Sequence, residues 1–247
     1  MLSFEDFNLF CTKNTNFLAD KTIYDFSNTI TTNFKQDGSV VTNTDFYIED
    51  QIRNSIKANF PEHGIWGEER EPVNPNSSFK WVIDPIDGTF GYSRGVPLWG
   101  SLVGLLLDDN PIYGYLRLPI LGNIWISGDN HVACLNGVPL KSHKIESRKN
   151  ILALTTDIST IEASPVNDIW QKAIKLGAIT RTWGDCFGYF LVCTGKADLM
   201  ADTGLKPFDI LPLLPIILGT GLNVEQFDCS DHSNIAVTNS YMLELLS

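Results

Sequence analysis

Two aspartates three residues apart, Asp84 and Asp87, followed at once by Gly88 and Thr89, are the densest chemistry in this 247-residue chain. They lie in the run Trp81-Val-Ile-Asp-Pro-Ile-Asp-Gly-Thr-Phe-Gly-Tyr-Ser-Arg-Gly-Val-Pro-Leu-Trp99. A short apolar strand over 79–83 would deliver the first carboxylate to a strand end, and a turn at Pro85 would fold the second back beside it. Hard divalent cations take clustered carboxylate oxygens and often share one between two ions. Backbone N–H groups freed after a glycine can hold a phosphate oxygen. Cation and phosphate chemistry therefore fall within a few residues of each other. Alone, each aspartate is equally a turn or cap residue; the flanking strand, Gly88 and Thr89 favour the ligand reading.

Other acidic residues sit where they can join this pair. Asp45 follows Val41-Thr-Asn-Thr, Glu68 and Glu69 follow a short apolar run, and Asp209 stands near a helix start, where the dipole favours a carboxylate. Each has a plain alternative: a cap, a solvated acidic turn, a helix-start charge. His63, His131, His143 and His232 show no ligand spacing, and Cys186 and Cys193 read as core thiols. No twelve-residue EF-hand loop occurs, which argues against a calcium-stabilised structural module.

The elements that must position these groups follow from periodicity. Ser3 and Asp6 form a capping pattern before a helix over 3–18, and a second helix is expected over 20–34. A turn at Asp37 and Gly38 leads to extended chain at Val40 and Val41. Ile48, Ile52 and Ile56 predict a helix from Thr44 or Asp45 to before Pro61. Strands are expected over 64–67, 79–83, 98–107, 112–118 and 123–127 as a meander, with a tight turn at Asn136-Gly137. Later come a strand over 151–155 and helices over 165–176, 184–194 and 206–219. The last of these carries Pro207 in its first turn and Pro212 and Pro215 deeper, which bends it. Helices early, a meander in the middle and mixed elements late imply layered α and β structure.

The formal net charge of −11 disfavours nucleic acid or an anionic membrane as a partner, and requires bound cations to offset it locally if the substrate is an anion. Five cysteines without a CxxC pair suggest reduced thiols in a cytoplasmic protein. The N-terminus lacks signal-peptide character, and no stretch reaches the ~18 apolar residues of a membrane span.

The order of these blocks resembles the inositol monophosphatase family of magnesium-dependent phosphatases, over nearly the whole chain. The residues carrying the likeness are Asp37-Gly-Ser-Val-Val-Thr-Asn-Thr-Asp45, Gly67-Glu-Glu69, the signature from Trp81 to Thr89, Leu135-Asn-Gly-Val-Pro-Leu140 and Lys206-Pro-Phe-Asp209. The resemblance implies an αβαβα sandwich forming one phosphatase domain over 1–247, with an α+β half to about residue 145 and an α/β half after it. It implies two or three Mg2+ ions, with Mn2+ as a substitute. Glu68, Asp84 and the Ile86 carbonyl would hold one ion, Asp84, Asp87 and Asp209 a second, and Glu68 would touch a third. Gly88 and Thr89 would donate N–H groups to the phosphate, and Thr89 with Asp45 would orient the attacking water. A homodimer is implied on the same grounds. Val40, Pro212 and Gly219-Thr-Gly-Leu222 depart from the family's usual residues, and none is an implied ligand.

Within the family, the segment from Gly88 to Gly100, Trp183-Gly-Asp-Cys-Phe-Gly-Tyr189 and Gly204-Leu-Lys-Pro-Phe-Asp209 are more similar to the histidinol-phosphatase branch than to the inositol branch. That likeness sets Arg181, Asp185 and Asp202 near the leaving group, where carboxylates suit a cationic amino alcohol such as histidinol phosphate. The alternatives are an inositol or adenosine bisphosphate phosphatase, and a silent relative that only binds a phosphorylated ligand.

Overall fold

Ser3 caps the first helix as expected, its hydroxyl accepting the Asp6 N–H at 3.1 Å, and α1 runs over Phe4–Asn14. The helix stops short of residue 18 because Asn14 and Thr15 turn their side chains back onto the carbonyls of Phe10 and Cys11, local bonding that competes with continuation. α2 spans Leu18–Phe26 and does not reach 34. The β-branched run Ile30-Thr-Thr32 favours extended chain, and β1 (Thr32–Phe34) pairs antiparallel with β2 (Val40–Thr42). α3 (Asn43–Asn59) buries Ile48, Ile52 and Ile56 on one face, as their spacing predicts.

A seven-stranded sheet follows in chain order: β3 (Gly64–Gly67), β4 (Phe79–Asp87), β5 (Gly100–Leu107), β6 (Asn110–Leu118), β7 (Ile124–Gly128), β8 (Ala133–Leu135) and β9 (Val138–Pro139). β3 and β4 are parallel, and the rest form the expected antiparallel meander. α4 (Thr89–Tyr92) lies between β4 and β5. Asn136 and Gly137 both have positive φ, as a tight two-residue hairpin turn demands. The later residues give β10 (Leu152–Leu154), α5 (Ile158–Glu162), α6 (Asn167–Lys175), β11 (Ile179–Arg181), α7 (Asp185–Cys193), β12 (Leu199–Leu205), α8 (Pro207–Ile210), α9 (Leu214–Gly219), β13 (Asn223–Cys229), β14 (His232–Thr238) and α10 (Ser240–Leu246). Their sheet has the order β11-β10-β12-β14-β13, parallel through the first three strands and antiparallel thereafter.

Period-two alternation distributes the strands among three cores. Val103, Leu105 and Tyr115 join Phe7, Leu18, Ile48 and Ile52 on the helical face of the larger sheet. Leu102, Leu116 and Leu118, one residue out of phase with them, join α7, α9 and the inner face of the smaller sheet. Ala153, Leu199 and Ala236 pack with Trp170 and Met242 on the smaller sheet's outer face. The result is the layered αβαβα sandwich. The computed structural model describes residues 2–26, 28, 30–140, 150–229 and 232–246; His143 lies outside them. Among the described residues no helix is long and apolar enough to cross a membrane, and Cys11, Cys134, Cys186 and Cys193 are free thiols.

A row of glycines locks the inner layer in place. Gly104, Gly114 and Gly128 are register partners across β5, β6 and β7. A Cβ added at Gly114 would stand 2.0 Å from the Pro212 carbonyl oxygen, and one at Gly128 2.3 Å from that of Pro215. The missing side chains form a trough that receives backbone directly. Pro212 and Pro215 divide the helix expected over 206–219 into α8 and α9. This docking fixes Asp209, on α8, against the larger sheet.

Candidate active site

A three-residue spacing in a flat strand would aim Asp84 and Asp87 at opposite faces. The expected turn at Pro85 is instead an irregularity within a continuous β4: Asp84 pairs with Leu102 and Asp87 with Gly100, so Pro85 and Ile86 on β4 together oppose Ser101 on β5. The extra residue is a β-bulge, which restores the phase and turns both carboxylates to the face that looks at the smaller sheet. Ile86, displaced by the bulge, is buried in the helical core. The Ser101 hydroxyl donates to the Pro85 carbonyl and holds the distortion. Gly88 then takes φ +93°, a left-handed conformation that a β-carbon would strain, and launches α4 at Thr89.

The other carboxylates arrive from separate elements. Asp45 belongs to the α3 cap: its Oδ2 accepts the Thr42 N–H at 2.8 Å, which leaves Oδ1 3.2 Å from Thr89 Oγ1. The Thr89 hydroxyl carries one proton, and its nearer acceptor is the Ile86 carbonyl at 2.7 Å. Glu68 leaves β3 with its N–H on the Ile83 carbonyl at 3.1 Å, beside the end of β4. Asp209 Oδ2 accepts the Lys206 N–H at 2.7 Å at the start of α8. Asp185 opens α7 at φ +49°, its N–H donating to Thr156 Oγ1 at 2.9 Å. Asp202 lies on β12 and faces the Tyr189 hydroxyl at 3.4 Å.

These pieces meet in one cleft of about 180 Å3 between the sheets, lined by Glu68, Asp84, Ile86, Asp87, Gly88, Thr89, Asp185, Asp202 and Asp209, with Asp45 just behind Thr89. Arg181 does not line it. Its side chain is exposed, with its guanidinium on the Thr180 carbonyl and over the Trp183 ring. Thr156, Tyr189, Thr203, Gly204 and Leu205 also line the cleft, and sequence reasoning did not select them. Tyr189 had a signal, since it follows Asp185 by four residues on α7 and so shares its face; Thr156 had none.

Burial and mutual repulsion dominate the electrostatics. Burial first, then Glu68, Asp87, Asp209 and Asp45, push Asp84 well above the carboxylate range. Asp87 is raised likewise, by burial and then by Asp185, Asp209 and Asp202. Burial lifts Asp209 to about 7, Asp202 to about 8, and Asp185 and Asp45 each to about 6. Lys35 reaches in from the β1–β2 turn and places its ammonium 2.7 Å from both Glu68 and Glu69. Burial alone would lower its pKa, but the two carboxylates outweigh that and hold it above the ordinary lysine value.

Such a cleft fits hard cations. Asp84 Oδ1 is buried with no hydrogen-bond partner, an arrangement that costs free energy unless a positive charge or proton satisfies it. The donors are carboxylate and carbonyl oxygens, the chemistry of Mg2+ and Ca2+ rather than of softer metals. Among the described residues no three Asp, Glu, His or Cys side chains are already arranged to hold an ion. The cause is local: Glu68 is turned to Lys35, Asp87 to the Cys186 N–H at 2.5 Å, and Asp209 to Lys206.

The two-sheet sandwich with a carboxylate cleft beside freed backbone N–H groups is the architecture of metal-dependent phosphatases. The chain belongs to the inositol monophosphatase family, which it matches over residues 18–246. It is 32% identical over 188 residues to the histidinol-phosphatase of Chlorobaculum parvum, covering 76% of this chain and 72% of that protein. It is 35% identical over 221 residues to inositol monophosphatase 3 of Solanum lycopersicum, covering 82% and 81%. A solved inositol monophosphatase from Zymomonas mobilis superposes with a TM-score of 0.79 at 26% identity, over 99% of this chain and 97% of that one.

Proposed function

We propose that this phosphatase is a Mg2+-dependent phosphomonoesterase whose preferred substrate is histidinol phosphate. Glu68, Asp84, the Ile86 carbonyl, Asp87 and Asp209 would hold two Mg2+ ions, for which Mn2+ would substitute, and Glu68 would also serve a third. When bound, these ions lower the pKa of water, neutralise phosphate oxygens and stabilise the departing alkoxide. The chain's own groups do the rest. The N–H groups of Gly88 and Thr89 would grip the phosphate, and the Thr89 hydroxyl, within reach of both the Ile86 carbonyl and Asp45, would orient the attacking water. Asp45 is the acceptor behind Thr89 for the proton that the attack releases. No covalent phospho-enzyme is required.

One observation carries the choice of substrate: Asp185 and Asp202 line the same cleft as the cation-binding carboxylates. Carboxylates in excess of those needed for the ions favour a leaving group that brings its own positive charge, as the ammonium of histidinol does. The likeness to the Chlorobaculum parvum histidinol-phosphatase supports the same reading. An inositol phosphatase is the second reading, supported by the tomato relative. Phosphate release measured with Mg2+ over histidinol phosphate, inositol 1-phosphate, fructose 1,6-bisphosphate and adenosine bisphosphate should give the highest kcat/KM for histidinol phosphate. Faster turnover of inositol 1-phosphate overturns the assignment. The working unit is proposed to be a homodimer, which sedimentation would reveal.

A further inference from the structure

A second cavity of about 500 Å3 adjoins the carboxylate cleft and shares Glu68, Gly88, Thr89, Thr156 and Asp185 with it. One wall is the β1–β2 hairpin, with Phe34; the facing wall is α4 and the loop after it, with Phe90 and Val96. Phe34 is 75% exposed, Phe90 64% and Val96 41%. None of the three belongs to a hydrophobic core, so burial on folding does not account for their side chains. Large apolar groups gathered around the mouth of a polar cleft mark a contact surface for a ligand. The smaller cleft has room for a phosphate and a short chain. Asp185 lines both cavities, so a leaving group longer than that chain would pass it into the larger chamber.

We infer that this chamber is a subsite for a flat, uncharged heteroaromatic ring borne by the leaving group, with Phe34 and Phe90 as the residues that select it. The inference rests on the phosphomonoesterase reading above and adds a part of the substrate that the carboxylates do not address. A polyol gains nothing from aromatic walls, whereas a planar ring buries both faces against them. The Arg94 guanidinium lies 5.1 Å from the Phe90 ring centroid and already places a cation there, which disfavours a second one. Thr182 on the remaining wall offers a hydroxyl to a ring nitrogen. An imidazole and a purine share this chemistry, so the test separates them.

The experiment compares kcat/KM for histidinol phosphate, adenosine 3′,5′-bisphosphate and ethanolamine phosphate, a ring-free amino-alcohol ester, in the wild-type chain and in Phe34→Ala and Phe90→Ala. Both side chains are exposed, so neither variant removes a core contact. The ratio of ring-bearing to ring-free kcat/KM should fall about tenfold in each variant for at least one of the two ring substrates. A fall for the purine alone sustains the chamber and sinks the amino-alcohol reading. Ratios that stay level in both variants, or wild-type rates no better with a ring than without, overturn the inference. Calorimetric binding of free histidinol and adenosine supplies a readout independent of turnover: weaker binding in the variants supports the subsite, equal binding refutes it.

Discussion

A buried carboxylate oxygen without a partner is the residue that most sharply separates stability from activity here. Asp84 is 2% exposed, its Oδ1 is unpaired, and other carboxylates surround it. Asp84→Asn keeps the shape and removes the repulsion. Without divalent cations the variant should be more stable than wild type by roughly 1–2 kcal/mol, while phosphate release should fall on the order of a thousandfold because a proposed cation ligand is lost. Thermal melts in chelator beside steady-state assays check this; a variant less stable than wild type under chelation contradicts the account of the cleft. His63 supplies a pH-dependent counterpart remote from the cleft. Its ring stacks between Phe60 and Phe79, at centroid separations of 5.1 and 5.0 Å. Its Nδ1 accepts the Trp81 indole N–H at 3.1 Å, which fixes the neutral tautomer with the proton on Nε2. Burial lowers its pKa from the ordinary 6.5. Protonation must break the indole bond, and the unfolded chain binds the proton more readily. This contribution to stability is therefore present above about pH 6.5 and lost as pH falls through the depressed folded value. Nitrogen NMR should report an unprotonated Nδ1 and a midpoint below 6.5; a midpoint at or above 6.5 contradicts the assignment.

At the level of elements, the glycine trough decides whether the cleft assembles. The α8–α9 backbone rests on Gly104, Gly114 and Gly128, and α8 carries Asp209. Gly114→Ala must push the Pro212 carbonyl away from the sheet. The expected cost is roughly 1–3 kcal/mol, with Tm lower by about 5 °C. Activity should fall more than stability explains, since Asp209 moves with α8. Unchanged kcat in a folded Gly114→Ala protein would break the link between trough and site. The trough also shows what one chain can and cannot disclose. Periodicity located α3 and the meander strands, because one buried face repeats along each. The likeness in motifs brought Glu68, Asp84, Asp87 and Asp209 together as candidates. The bulge between Asp84 and Asp87 was not legible, since Pro85 fits a turn and a bulge equally. β12, β13 and β14 went unassigned because their apolar runs are short, and the register of Gly104, Gly114 and Gly128 exists only once the strands pair. Thr156 enters the cleft through its contact with Asp185, 29 residues away, which no local pattern encodes.

On the scale of the whole molecule, the cleft joins acidic groups from both sheets in a chain already carrying a formal charge of −11. Asp84 and Asp87 come from β4 of the larger sheet, Asp202 from β12 of the smaller, and Asp209 from α8, which follows it. Without cations these groups repel across the join between the layers. Lys35, which pairs with Glu68 and Glu69, and Lys206, which pairs with Asp37, offset part of that charge from the rim. On the proposed ligand set, a divalent ion held by Asp84, Asp87 and Asp209 would convert the repulsion into a tie between the layers. Binding the folded chain and not the unfolded one, it would stabilise by mass action, by about 2.7 kcal/mol at a hundredfold excess over its dissociation constant. Adding Mg2+ should therefore raise Tm by several degrees, and amide exchange at the end of β4 and in α8 should slow together. Sodium chloride at equal ionic strength screens the charges without tying them and should reproduce little of either effect. Asp209→Asn should lose most of the Mg2+-dependent rise while keeping the fold. If sodium chloride matches Mg2+, or if Asp209→Asn responds as the wild-type chain does, the carboxylates act as a diffuse charged surface and not as a shared cation site.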